Sequence, residues 1–319
     1  YHDAMLWGSV VMLAYTFFGG FLAVSWSDVL QGTLMFFALI LVGAVGVGLA
    51  GGFGDMLATL EAREPALLDP FLGSGGEALG AIGIASLLAW GLGYPGQPHI
   101  LARFMAIRSV DEMPTARRVA MGWVIVVLLA AVVVGLAGAA LITPPLDGPG
   151  SEKVFILLAT THLHPVLAGL CLSGILAAIM STASAQLLVA SSAFAQDFYK
   201  GLFRREPGRA ELLWVGRGAV LGIALLAYLL ALNPESKVLD LVAWAWAGFG
   251  AAFGPAIVLS LYWDRMTRNG ALAGMLVGGL TVILWKQGHG GIFELYEMVP
   301  GVVLSALAIW VVSRFGRGE

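Results

Sequence analysis

The ten residues Trp90-Gly91-Leu92-Gly93-Tyr94-Pro95-Gly96-Gln97-Pro98-His99 interrupt an apolar run that extends from about residue 79 to residue 104. Three glycines and two prolines leave this stretch short of both helix propensity and backbone donors, so a continuous helix is not expected. The flanks read as membrane-spanning, which puts the break near mid-depth. Backbone groups released there cost several kcal/mol each in lipid and are tolerated only against protein or a water-filled cavity. Discontinuous helices of this kind can hold a zwitterion or a cation with half-helix ends and free carbonyls, without placing a formal charge in the bilayer. A plain proline kink is the alternative. Trp90 and Tyr94, four residues apart, share a helix face and either wall a pocket or pack against a neighbour. The same stretch spells Gly91-x-Gly93-x-x-Gly96, but the dinucleotide fingerprint needs a preceding strand and a soluble helix, and here the flanks are apolar spans.

Outward from the break, the whole chain has the same character. Of 319 residues, 59% are hydrophobic and 12% charged, and the mean hydropathy is +0.88. Apolar stretches of about 20 residues recur, near 4–22, 27–50, 79–104, 117–143, 164–197, 212–232, 237–263, 270–288 and 296–314. These nine runs are continuous rather than alternating, so the expected fold class is an all-α polytopic membrane protein and not a barrel. A net charge of −3 and the lack of a basic block argue against nucleic acid as a partner. The single cysteine, Cys171, allows no intrachain disulfide. There is no HExxH, GxSxG or Walker loop, so no enzyme activity is expected, and His162 with His164 lacks a nearby third ligand. No cofactor and no obligate protein partner is evident beyond the lipid bilayer.

Loop charge sets the orientation. The loops at 51–77 and around Pro144, Pro145, Asp147, Pro149 and Glu152 are poor in Lys and Arg and read as external. The alternate connections carry Arg103, Arg108, Arg117 and Arg118, then Lys200, Arg204, Arg205, Arg209 and Arg217, then Arg265 and Arg268, with Arg314 and Arg317 in the tail. These are 13 of the 17 basic residues, which predicts a cytoplasmic C-terminus by the positive-inside rule. The first residues are then external. With no initiator Met and no basic region before the first apolar run, the chain is expected to start mid-protein. The pairs Gly48/Gly52, Gly270/Gly274 and Gly274/Gly278 stand four apart and predict close helix packing, with no oligomer implied.

Two further polar features stand out. In the fifth span, Ala178, Ser181 and Thr182 share one face, and two hydroxyls with a carbonyl are hard neutral ligands for a dehydrated small cation. The alternative is that the hydroxyls bond back to their own helix. Asp28 follows Gly19-Gly20-Phe21-Leu22-Ala23-Val24-Ser25-Trp26-Ser27 at the expected cytoplasmic turn between the first two spans. There it either attracts a cation or caps the next helix.

Five stretches, GGFLAVSWSD (19–28), WGLGYPGQPHILARFMA (90–106), LAAIMSTASAQLL (176–188), WAGFGAAFGP (246–255) and RMTRNGALAGM (265–275), together resemble the sodium/solute symporter family. The resemblance runs in order over essentially the entire chain. It implies a leucine-transporter-like inverted-repeat core, with the nine spans corresponding to core helices 4 to 10 plus two. Residues 1–50 would end the first repeat, 79–263 would form the second, and 270–315 the two additional helices, all in one transmembrane transporter domain. It also implies a bacterial inner-membrane symporter coupled to Na+, taking up a small carboxylate solute: proline as the expected substrate, or another such as pantothenate. The sensor module of a signalling kinase and a non-transporting structural subunit are the other classes. By likeness, the carbonyl of Ala178 with Ser181 and Thr182 would bind Na+, and Trp90, Tyr94 and Pro98 would lie beside the substrate. Asp28 and Arg103 would belong to the ion pathway. The family's first core helix and its third, which complete both sites, have no counterpart here.

Overall fold

The computed structural model describes residues 2–73, 76–146, 148–203, 206–232 and 238–316. Asp147, Arg204, Arg205 and Arg317 lie outside the described residues. In chain order the helices are α1 (His2–Leu49), α2 (Phe53–Arg63), α3 (Ala81–Leu88), α4 (Pro98–Met105), α5 (Met113–Leu141), α6 (Val154–His162), α7 (Pro165–Ser192), α8 (Arg209–Leu230), α9 (Val238–Tyr262), α10 (Arg268–Trp285) and α11 (Met298–Phe315). A 3-10 segment, Ala89–Gly96, follows α3, and a π-helical segment, Ala193–Phe203, extends α7. Among the described residues, seven helices are long and apolar enough to cross a membrane. One of them, α1, contains the first two expected runs. The third expected run is the interrupted one.

Two compact units pack from these helices. One comprises Tyr1–Leu68 with Arg108–Pro234, and the other Asp69–Ile107 with Glu235–Glu319. Two helices of the first unit, α7 and α8, turn small residues inward and large apolar ones outward. Along α7 the buried positions include Ala168, Gly174, Ala177, Ser184 and Ala185, while Leu170, Leu176 and Ile179 are exposed. Along α8, Val220 and Ala224 are buried, and Leu221, Leu225 and Leu229 are exposed. This is the pattern of helices solvated by lipid, where van der Waals packing of small faces replaces the hydrophobic drive.

In the first unit, α1 has 48 residues and would be about 72 Å long if straight, against a hydrocarbon core of about 30 Å. It bends at Gly20, whose φ of 57° and ψ of −151° lie in a region that essentially only glycine adopts. The turn expected between the first two runs, at 23–26, is therefore corrected. Ser25 and Ser27 donate back to the carbonyls of Phe21 (2.8 Å) and Val24 (2.9 Å), and the helix runs on through them. Asp28 accordingly sits inside the helix, eight residues past the bend, and does not cap it.

The expected packing role of Gly48/Gly52 is also corrected. A Cβ on Gly48 meets nothing within 4 Å, and Gly52 (φ +111°) belongs to the turn that ends α1. The close approach is made two residues before Gly48, on the other side of the helix: a Cβ on Gly46 would come 2.7 Å from that of Ala137 on α5. The loop at 51–77 holds a helix, α2, whose Met56 and Leu60 are fully buried in the core of this unit with Val42, Val134, Leu158 and Cys171. Arg63 at its end donates to the carbonyls of Ala139 (2.9 Å) and Ala140 (3.1 Å) and to Thr143 Oγ1 (2.8 Å), closing the C-terminus of α5. On α8, the Arg217 guanidinium lies 5.1 Å from the ring centroids of both Phe17 and Trp214, a double cation–π contact that ties α8 to α1.

In the second unit, Gly270, Gly274 and Gly278 pack closely as expected, the first two against α11 and Gly278 against the Ala251 backbone of α9 as well as Ser305 of α11. A Cβ on Gly274 would strike the Ile309 side chain and come 3.0 Å from the Ser305 carbonyl. Gly274→Val is expected to destabilise the full-length protein by about 1–3 kcal/mol, read as a lower thermal unfolding midpoint in detergent. Gly279→Val, where a Cβ meets nothing within 4 Å, is expected to stay within about 0.5 kcal/mol of the parent. Equal shifts for the two would contradict this packing.

Candidate functional site

The break at 90–99 is realised as three pieces. Helix α3 stops at Leu88, the next eight residues run as a 3-10 helix, and Gln97 is extended (φ −88°, ψ 109°) before α4 begins at Pro98. The residue before a proline is pushed out of the helical region, and Pro is well placed at the first helical position. Eight residues is long for a 3-10 run, which rarely exceeds about 3–4. Carbonyls loosened by this geometry are met by side chains. The Trp246 indole N–H donates to the Trp90 carbonyl (3.0 Å), and the Gln97 amide donates to the carbonyls of Gly93 (3.2 Å) and Trp246 (3.2 Å).

Two of the three glycines let this segment lie directly on α9. A Cβ on Gly93 would overlap the Trp246 indole. One on Gly96 would overlap the Phe249 carbonyl and come 2.8 Å from Gly250 Cα and 2.9 Å from Gly254 N. Gly91 has no such contact. The nominal dinucleotide pattern is thus a record of helix-to-backbone approach. Around it the aromatic rings assemble. Trp90 is near-parallel to Trp246 (centroids 5.4 Å, 13°) and to Tyr296 (6.4 Å, 12°), and Tyr94 meets Trp246 edge-on (4.9 Å, 85°). Tyr296 is fixed in turn: its hydroxyl donates to the Ala243 carbonyl (2.6 Å) and its backbone N–H to Ser86 Oγ (2.9 Å).

Trp90 and Tyr94 are therefore brought together, through Trp246. Tyr94 keeps 49% of its surface exposed, Pro98 opens α4 half-buried, and Arg103 lies in the last turn of that helix. Trp246 and Tyr296 were not singled out as site residues by the sequence reading. Trp246 lies within an apolar helix and Tyr296 in the short connection before α11, and only three-dimensional contact joins them to Trp90.

The second polar cluster lies in the other unit. On α7 the Ser181 hydroxyl donates to the Ala178 carbonyl (3.0 Å), and the Ser184 hydroxyl donates to that of Ser181 (3.2 Å). Two of the three oxygens expected to bind a cation are thus adjacent, joined by the back-bond that the sequence left open as the alternative. Thr182 is exposed and Ser184 fully buried. The Tyr15 hydroxyl from α1 donates to the Met180 carbonyl (3.1 Å), bracing α7 one residue before Ser181. Next to Tyr15 in sequence, Thr16 is 3% exposed and its hydroxyl has no hydrogen-bond partner. Neither residue was marked by sequence, since single hydroxyls in an apolar helix carry no pattern.

Comparison with known proteins adds the following. The model of the sodium:solute symporter family matches residues 1–278. The chain is 50% identical to the sodium/proline symporter of Escherichia coli (strain K12), over 99% of this chain and 63% of that protein. It is 49% identical to the high-affinity proline transporter PutP of Bacillus subtilis (strain 168), over 98% of this chain and 65% of that protein. The chain thus spans somewhat under two thirds of the length of these relatives, which are transporters. The solved structure of a substrate-bound, outward-open Na+-coupled sialic acid symporter superposes with a TM-score of 0.75, covering 99% of this chain and 67% of that one at 18% identity. That likeness establishes the fold as the leucine-transporter-like one expected, and the apolar helices together with the transporter relatives make the chain a multi-pass membrane protein.

Proposed function

The chain belongs to the sodium:solute symporter family, and on that premise we propose that the full-length protein takes up proline in symport with Na+. The observation that carries this reading is the 50% identity to a sodium/proline symporter over 99% of the chain. The geometry supports it. An aromatic wall on a broken helix suits a small apolar ring, and half-helix ends suit the amino and carboxylate groups of a zwitterion. Neutral oxygens at Ala178, Ser181 and Thr182 suit a hard monovalent cation.

In this reading Na+ is cargo, held by the Ala178 carbonyl and the Ser181 and Thr182 hydroxyls. The Ser181 proton turns away from the Ala178 carbonyl when the ion enters, and both oxygens then face the charge. Proline lies against Trp90 and Tyr94 with Pro98 at the end of its pocket, and Asp28 and Arg103 serve the ion pathway. Further ligands for both sites come from the part of the relatives' length that this chain does not span. Alternating access then exposes ion and solute to the other side. One charge moving through roughly 100 mV contributes about 2.3 kcal/mol, and a tenfold sodium gradient about 1.4. Together these support about 500-fold accumulation, so a single coupling ion is sufficient. We assign residues 1–50 to the end of one repeat, 79–263 to the second and 270–315 to two additional helices. The protein sits in the bacterial inner membrane with a cytoplasmic C-terminus.

Equilibrium binding of labelled proline to the full-length protein in detergent tests the substrate. Na+ is expected to tighten proline binding severalfold over matched K+, and Tyr94→Ala to weaken it. Saturable, sodium-dependent binding of labelled pantothenate, with no saturable binding of labelled proline, would transfer the assignment to that solute.

A further inference from the structure

We propose that Trp246 of α9 is a positioning and specificity residue of the solute site, holding Trp90 and Tyr94 in register, with Gln97 as its second tie. The proposal rests on the reading that Trp90 and Tyr94 face the solute. A 3-10 segment that contains a proline, Pro95, lacks the hydrogen-bond ladder that fixes an ordinary helix. Its shape must be set by something else.

Beside the Gly96 contact with the α9 backbone and the Tyr296 ring on Trp90, one residue makes several ties to it. Trp246 stacks on Trp90 at 5.4 Å and meets Tyr94 edge-on at 4.9 Å. Its indole N–H occupies the Trp90 carbonyl at 3.0 Å, and its ring fills the space that a Cβ on Gly93 would take. Its own carbonyl receives the Gln97 amide at 3.2 Å, and the same amide nitrogen reaches the Gly93 carbonyl at 3.2 Å. Gln97 is 2% exposed and its bond to the Gly93 carbonyl is buried, where losing a partner is most costly. Four positions of the broken segment, 90, 93, 94 and 97, are thereby keyed to a single residue of α9. Tyr94 presents its outward surface because Trp246 stands behind it.

This arrangement predicts a particular division of kinetic effects. A residue that orients the wall sets the fit of the solute ring, leaving the affinity for the ion and the turnover of correctly bound solute unchanged. Trp246→Phe keeps a ring and removes the N–H, and Gln97→Leu keeps the volume and removes the amide.

The test is sodium-driven uptake by the full-length protein in liposomes, with proline and its four-membered and six-membered ring analogues as competitors. For each variant the expected result is a KM for proline raised about three- to tenfold, kcat within about twofold and an unchanged sodium half-saturation. Discrimination among the three ring sizes should narrow. The double variant is expected to lose less than the product of the two single effects, because both ties hold one segment.

Unchanged proline KM and ring-size preference in both single variants would overturn the proposal. So would equal losses in KM, kcat and sodium half-saturation accompanied by a lowered unfolding temperature, which mark a merely structural role. If the parent protein transports another solute in place of proline, the substrate reading fails, and the same comparison of KM is made with that solute. If proline is transported but Trp90→Ala and Tyr94→Ala leave its KM unchanged, the aromatic wall is not the solute site and the proposal falls with it.

Discussion

Gly96→Val is expected to abolish sodium-driven uptake and to cut the yield of folded protein sharply. At this position a Cβ would collide with the Phe249 carbonyl and lie 2.8 Å from Gly250 Cα and 2.9 Å from Gly254 N. All three are backbone atoms of one helix, so no rotamer change relieves the clash. Either α9 or the broken segment must move. Overpacking costs typically 1–3 kcal/mol, and with backbone on every side the upper end applies, about a hundredfold in the population of the competent state. Gly96→Ala should already show most of the loss, because the first added carbon makes the contact. Gly91→Ala, in the same segment but with open space around its Cβ, should retain near-parent uptake and a near-parent unfolding midpoint. Matching behaviour of the two alanine variants would mean that the segment does not rest on α9 as described.

Ser181→Ala is expected to raise the sodium concentration for half-maximal uptake by about 10- to 150-fold, the equivalent of losing an interaction with a charge worth about 1.5–3 kcal/mol. At saturating Na+ the proline KM should recover, because the proposed ion ligands and the proposed solute wall lie on different helices. A purely local role for the hydroxyl gives a different result. If the bond to the Ala178 carbonyl at 3.0 Å only trims α7, its removal shifts stability slightly and leaves sodium affinity untouched. Ser173→Ala is the matched comparison. Its exposed hydroxyl makes the same kind of back-bond, to the Gly169 carbonyl at 2.9 Å, two turns from the cluster, and sodium affinity should not change. An unchanged sodium half-saturation in Ser181→Ala would remove Ser181 from the ion site.

The features legible in the sequence are those dictated by local composition. Runs of apolar residues set the spans to within a few positions, and the crowding of Gly and Pro at 91–98 forecast a broken helix, which the 3-10 segment and extended Gln97 realise. The α10 glycines stand at helical spacing, and they do pack.

The misreadings have equally local causes. The pair Gly48/Gly52 has the same spacing, but Gly52 falls beyond the end of α1, and no spacing rule separates a packing glycine from a turn glycine. The bend in α1 falls at Gly20 because only glycine reaches its backbone angles, whereas the gap between the two apolar runs, where the turn was expected, holds serines that bond back into the helix. Helix α2 was hidden because its apolar stripe, Met56 and Leu60, is short, and the loop around it is polar.

The rest of the site was illegible for a deeper reason. Trp246 reaches Trp90 across 156 positions and Tyr15 reaches Met180 across 165. A single sequence contains no trace of such pairings, because nothing in the local pattern of an apolar helix says which of its polar atoms meets a partner.

The most direct test of sodium-coupled proline uptake is accumulation of labelled proline by full-length protein in liposomes, under an inward Na+ gradient with an inside-negative potential, against a matched K+ control. The account predicts uptake in Na+ alone, approaching the limit of about 500-fold set by one charge and one tenfold gradient, and abolished by excess unlabelled proline. Equal uptake in K+, or sodium-driven uptake that unlabelled proline fails to displace, would contradict it.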